Sequence, residues 1–193
     1  MPNLTVFAGP NGSGKSTIVA WLKFEGKVNL LDPDAIAKRI DPADPSRAAI
    51  GAAREVINRT REYLSRGESF AVETTLASRA MLATMTKAQE EGFYVRLVYV
   101  CLNEPERHIR RVRERVARGG HAVSEDDVRR RYGRSLRNLP AALRIADEAR
   151  VYDNSSANPQ RVFETRRGIV TWRGSVLPQW AKTACELLRP EAS

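Results

Sequence analysis

One octapeptide constrains this chain more than any other part of it. Gly9-Pro10-Asn11-Gly12-Ser13-Gly14-Lys15-Ser16 satisfies G-x-x-x-x-G-K-[ST] at every position. The pattern carries weight only between a strand and a helix. Residues 3–8 read as a buried strand before it, and 15 to about 24 as a helix after it, stopping near Gly26. Glycines let the backbone curl so that successive N–H groups point inward at phosphate oxygens, and the following helix adds the positive end of its dipole. Lys15 supplies a mobile ammonium for the β- and γ-phosphates, and the Ser16 hydroxyl suits Mg²⁺. Gly9 to Thr17 are therefore the expected contacts for ATP, with Ser16 on the metal. The same loop serves switches, motors, transporters and kinases, so it does not name a reaction.

With 193 residues, the chain is expected to form one α/β domain over 1–193. A second strand is expected at 28–31, and Asp32-Pro33-Asp34 opens a helix to residue 40. Asp44 is positioned to cap a helix from 45 to about 66, stopped by Gly67. A strand at 70–73, a helix at 79–91 and a strand at 94–101 follow. Asn103 is the expected cap of a helix from 104 to about 118; Ser124 with Asp127 opens another to 139, where Pro140 should interrupt it. A helix at 141–149, a strand at 150–153, a hairpin from 162–165 and 169–172, and a closing helix at 178–188 complete the reading. Strands alternating with helices imply a mainly parallel sheet covered on both faces. Cys101 and Cys185 lie in apolar settings without metal-ligand spacing and read as packing residues. No apolar run is long enough to span a bilayer and no signal peptide is visible, so a cytoplasmic location without membrane contact is expected.

The charge balance adds chemistry. Lys plus Arg is 32 and Asp plus Glu 23, a net +9 that favours a polyanionic ligand. The aromatic residues are not interleaved with the basic ones as a stacking platform requires, so nucleic acid is not the expected partner. Leu64 to Glu68 superficially matches a transport-ATPase signature, but it ends an amphipathic helix and Gly67 reads as a stop. Asp34 follows the second strand and Glu73-Thr74 ends the third, on the side of a parallel sheet where the phosphates sit. A carboxylate there can take the proton of an attacking hydroxyl or help hold the metal. Asp32 competes with Asp34 for the base role; Asp34 is favoured. Between 104 and 139, arginines cluster opposite the apolar stripes of two helices, around a Gly119-Gly120-His121 hinge. Forked donors on such a lid can close on a transferring phosphate.

Taken together, these stretches resemble the zeta-toxin family of P-loop kinases. The likeness runs through Ala8 to Thr17, Asp34-Ala35-Ile36-Ala37 and Glu73-Thr74-Thr75-Leu76. It continues through Arg115-Val116-Ala117-Arg118-Gly119-Gly120-His121, Arg130-Arg131-Tyr132-Gly133-Arg134-Ser135-Leu136 and Tyr152-Asp153-Asn154-Ser155. The resemblance implies a P-loop NTPase fold with a five-stranded parallel core, a helical lid, and ATP-dependent phosphorylation of a hydroxyl on a small anionic acceptor. UDP-N-acetylglucosamine is the first candidate acceptor, and an antitoxin protein an expected partner. By this likeness Asp34 is the base, and Lys15, Arg115 and Arg130 or Arg131 stabilise the transferred group. Asn154 and Ser155 lie near the adenine, Glu73 contacts the acceptor or the metal site, and Thr74, Arg118, His121 and Arg134 serve the acceptor side. The alternatives are a kinase for another nucleotide, a sugar or an antibiotic, a nucleic-acid-linked enzyme, and a non-enzymatic nucleotide switch.

Overall fold

A computed structural model describes residues 1–120 and 122–188. Its sheet has seven strands in the order β2-β3-β1-β4-β5-β6-β7. These are β1 (Asn3–Ala8), β2 (Leu30–Leu31), β3 (Phe70–Thr74), β4 (Tyr94–Cys101), β5 (Glu148–Asp153), β6 (Gln160–Arg166) and β7 (Ile169–Arg173). The first five run parallel, giving the expected core, and β6 and β7 add an antiparallel edge. The helices are α1 (Lys15–Trp21), α2 (Pro33–Ile40), α3 (Ala49–Arg66), α4 (Ala80–Glu90), α5 (Pro105–Ala117), α6 (Glu125–Ile145) and α7 (Gln179–Glu186). This is the α/β P-loop NTPase architecture.

Every residue of β1 is buried, because helices cover both faces of the sheet there. Leu4, Val6 and Ala8 enter a large core with Phe70, Leu97, Tyr99, Leu139 and Trp180. Phe7 points the other way, onto Ile18 and Val19 of α1. Cys101 is fully buried, as its packing role requires, and burial pushes its thiol pKa up. Among the described residues no helix is long and apolar enough to cross a membrane.

Several boundaries depart from the sequence reading. The chain leaves α1 at Leu22, and β2 shrinks to two residues because 27–29 form a 3₁₀ turn with Val28 in solvent. Asp44 caps a turn rather than a long helix: its carboxylate accepts from the Ser46 N–H, and α3 begins only at Ala49. Glu104, not Asn103, is the N-cap of α5. Ser124 caps α6 as expected, accepting from the Asp127 N–H at 3.2 Å.

Pro140 does not end that helix; α6 continues for 21 residues through it. An interior proline costs about 3 kcal/mol. Leu139 and Leu143, both at 0% exposure, flank it. Each buried leucine contributes roughly 1.5–3 kcal/mol, so the apolar face outweighs the missing hydrogen bond.

Candidate active site

The sheet order places the site. In an open parallel sheet, ligands sit beyond the carboxyl ends of the strands, where the strand order reverses. β1 lies centrally, with β3 and β4 on either side, and its register pairs Ala8 with Thr74 and Phe7 with Glu73. β2 pairs Leu31 with Val72, which delivers Asp32 beside Glu73. A cavity of about 870 Å³ opens at these strand ends.

The phosphate loop forms its floor. Gly14 stands at φ +95°, and a Cβ there would lie 2.3 Å from the Asn154 amide nitrogen. Gly12 stands at φ +74°, with room only for hydrogen beneath α5. Such close approach and left-handed geometry are what the motif's glycines permit. The Lys15 ammonium donates to the Gly9 carbonyl at 2.7 Å and the Pro10 carbonyl at 3.1 Å. Burial lowers its pKa, against the opposing pull of the Glu73 and Asp34 carboxylates.

Acidic groups line one wall. Asp32 is the N-cap of α2, its Oδ1 accepting from the Asp34 N–H at 2.9 Å. Asp34 is thereby carried on the first turn, with its side chain 57% exposed and Oδ2 3.7 Å from Arg115 Nη1. Glu73 is buried, and Ser16 Oγ donates to its Oε2 at 3.1 Å. Burial raises the Glu73 pKa, the Asp32 charge adds to this, and Lys15 and the Ser16 hydroxyl oppose it. The hydroxyl and carboxylate oxygens of Ser16, Glu73 and Asp32 suit Mg²⁺, which takes one or two carboxylates and completes its shell with water and substrate phosphate. Among the described residues no group of three or more His, Cys, Asp or Glu forms a metal cage.

The opposite wall is cationic. Arg111, Arg115 and Arg118 line the cavity from α5 and the turn after it, and Arg131 lines it from α6. Arg131 Nη1 donates to Asn11 Oδ1 at 3.3 Å. Arg111 Nη2 donates to the Asn154 carbonyl at 2.8 Å, and Asn154 Nδ2 donates to the Ser13 carbonyl at 2.8 Å.

Of the expected residues, Asn11, Gly12, Gly14, Lys15, Ser16, Thr17, Asp34, Glu73, Thr74, Arg115, Arg118, Arg131 and Asn154 share the cavity, whereas Gly9, Pro10 and Ser13 are buried behind its lining. Arg130 does not; it pairs with Asp127 on the outer side of α6. Arg134 is exposed and also outside the lining. Ser155 turns its hydroxyl to the Asn103 N–H and to Asp153 instead. Asn154 braces the phosphate loop from below. His121 lies outside the described residues.

The sequence reading of the site gave no place to Lys38 and Glu114 and no individual role to Thr75 and Arg111, all in the lining. Lys38 follows Asp34 by four residues and Arg111 precedes Arg115 by four. Helical spacing alone therefore carried a signal for both. His108, buried beneath the loop, had no such signal.

Comparisons with known proteins agree with this geometry. A family model described as an AAA domain matches residues 4–139. An uncharacterized protein of Haemophilus influenzae is 37% identical over 133 residues, 68% of this chain and 94% of its own length. Among solved structures, the AvrRxo1-ORF1:-ORF2 complex with ATP superposes with a TM-score of 0.74 at 13% identity, over 97% of this chain and 63% of that one. The chain thus spans less than two thirds of that relative. A structure from the PezAT chromosomal toxin–antitoxin system of Streptococcus pneumoniae superposes with a TM-score of 0.57 at 17% identity, over 85% of this chain and 72% of that one. At such identities the likeness is one of fold.

Proposed function

Because the chain belongs to the AAA-domain family of P-loop proteins, we propose that it is an ATP-dependent kinase that phosphorylates a hydroxyl of a small anionic acceptor. The observation that carries this is the convergence of Lys15, Asp34 and Arg115 on one cavity, with Asp34 at 3.7 Å from Arg115. A nucleotide-binding switch needs the loop and its metal; it does not need an exposed carboxylate facing an arginine beside the loop.

In this reading the loop's N–H groups and Lys15 hold the β- and γ-phosphates of ATP. Asp34 accepts the acceptor's hydroxyl proton as that oxygen attacks the γ-phosphorus. The bond to the β-bridging oxygen breaks, and ADP leaves with its electrons. Arg115, with Arg111 and Arg131 behind it, stabilises charge on the transferred group. Mg²⁺, held from Ser16 with Glu73 and Asp32, supplies charge neutralisation of the phosphates when bound. Lys38 and Arg118 make the acceptor side cationic, which favours an acceptor with its own phosphate; UDP-N-acetylglucosamine is the first to test. The PezAT toxin–antitoxin structure among the fold relatives supports an antitoxin as a candidate partner.

The test is incubation with γ-labelled ATP·Mg²⁺ and a panel of nucleotide sugars, nucleotides, sugars and aminoglycosides. Label on one acceptor, lost in Asp34→Asn, supports the proposal. ATP binding without transfer to any acceptor, unchanged by Asp34→Asn, sinks it.

A further inference from the structure

A loop that points its N–H groups inward at phosphate turns its carbonyls outward, into the protein. Buried carbonyls need donors. Ser13 has Asn154 beneath it. The Asn11 carbonyl meets a different group, His108 Nδ1 at 2.8 Å. His108 is 0% exposed, and the Leu102 N–H donates to its Nε2 at 3.2 Å. That bond requires a bare lone pair on Nε2, so the proton of the neutral ring sits on Nδ1 and is donated to Asn11. The imidazole thus bridges the end of β4 to the floor of the site.

His108 lies on α5, the helix that supplies Arg111 and Arg115. Offsets of three and seven residues put all three on one helix face. The contact is tight: a Cβ on Gly12 would stand 2.7 Å from the His108 carbonyl. Rotation and axial position of this arginine face are therefore tied to the loop at its N-terminal end by this ring and by the close approach of Gly12. We propose that His108 is a positioning residue, which registers the arginine face of α5 against the phosphate loop and holds the Asn11 carbonyl outward. A buried histidine that merely filled space would need neither bond, and an aliphatic residue would orphan both Asn11 O and Leu102 N–H.

The inference rests on the nucleotide-binding part of the reading above and not on the acceptor. Two near-isosteric variants separate the two bonds. In His108→Asn the amide nitrogen falls near Nδ1 and can still donate to Asn11. In His108→Gln the amide reaches the Nε2 position and can serve Leu102, while the loop carbonyl loses its donor. ATP affinity by calorimetry, turnover and melting temperature are measured for both. The expected result is ATP affinity within about threefold of the parent for His108→Asn and a loss of roughly 10–100-fold for His108→Gln, the scale of one buried unsatisfied group. Equal affinities in the two variants, with any change following melting temperature alone, would overturn it. An inactive parent that still shows the affinity split would sink the kinase reading and leave this one standing. Should neither variant fold, ¹⁵N NMR of the parent reads the ring directly. The Nδ1–H tautomer, with a shift on adding ATP·Mg²⁺, is required, and an Nε2–H tautomer overturns the proposal.

Discussion

Arg115 faces Asp34 across the cavity mouth, with Nη1 3.7 Å from Oδ2. Both side chains are partly solvated, at 39% and 57% exposure, so the pair itself contributes little to stability. In the proposed reaction the pair sets the proton acceptor and the phosphate-stabilising cation within reach of each other. Asp34→Asn keeps the shape and removes the proton acceptor. Turnover should fall by about 10²–10⁴-fold, the usual range for a lost general base. ATP affinity should change by less than about threefold, because loss of a base acts on the transition state rather than on uniform binding. Transfer assays beside calorimetry check this split.

Much of this arrangement was legible before any coordinates. The loop motif, the Asp32-Pro33-Asp34 cap and the Glu73-Thr74 strand end are local signals that packing left unchanged. The arginines were harder. Eleven lie between Glu104 and Leu139, and opposition to an apolar stripe selects a half-cylinder, not the sector that faces the cavity. Arg130 and Arg131 are neighbours, yet one pairs with Asp127 and the other with Asn11. Rotation by one residue decides that, and tertiary packing sets the rotation. Pro140 failed as a stop for the same reason: burial of Leu139 and Leu143 outweighs a local penalty that sequence reading applies at face value. The His108 bridge joins residues 97 apart and leaves no local pattern at all.

Two glycines with similar backbone angles should respond differently to alanine. Gly14 has φ +95° and a neighbour 2.3 Å from the added Cβ; Gly67, which ends α3, has φ +63° and nothing within 4 Å. Gly67→Ala meets only the left-handed penalty of about 1 kcal/mol, seen as a lower melting temperature with unchanged ATP affinity. Gly14→Ala adds the displacement of Asn154, whose bond to Ser13 shapes the cradle. A loss of ATP affinity of about five- to thirteenfold is expected, since one such bond is worth roughly 1–1.5 kcal/mol.

Acid should weaken the fold through His108. Burial pushes its pKa down to about 4, with the Lys15 and Arg111 charges in the same direction and the Asn11 carbonyl opposing. The unfolded chain, with a histidine pKa near 6.5, binds this proton more readily. Stability is therefore full above about pH 6.5 and declines as pH falls toward 4, by at most about 3 kcal/mol. Glu73 has the opposite sign: its raised pKa means that its contribution is lost as pH rises. Comparing urea unfolding of the parent and His108→Asn from pH 7 to 4 isolates the histidine, and the variant should show the shallower decline.

The turn after β3 carries backbone strain at Leu76. Leu76 is fully buried at φ +56°, a conformation costing a non-glycine residue roughly 1–2 kcal/mol. Glycine would relieve that but forfeit a buried leucine worth about 2–5 kcal/mol, so Leu76→Gly should destabilise. Two bonds hold the turn: the Leu76 N–H donates to Thr74 Oγ1 at 3.1 Å, and Asn138 Nδ2 donates to the Leu76 carbonyl at 2.9 Å. Between them Thr74 and Thr75 line the cavity, on the side that the proposed reaction gives to the acceptor. Asn138→Leu removes the second bond and should lower stability by about 1–2 kcal/mol. The Thr74 carbonyl also accepts from the Gly9 N–H of the phosphate loop at 3.2 Å. The Asn138 bond lies two residues beyond it, so KM for the acceptor should rise by more than ATP affinity falls, a pattern that marks lost acceptor positioning rather than lost nucleotide binding. Equal changes in both constants would show instead that the turn supports the whole cavity.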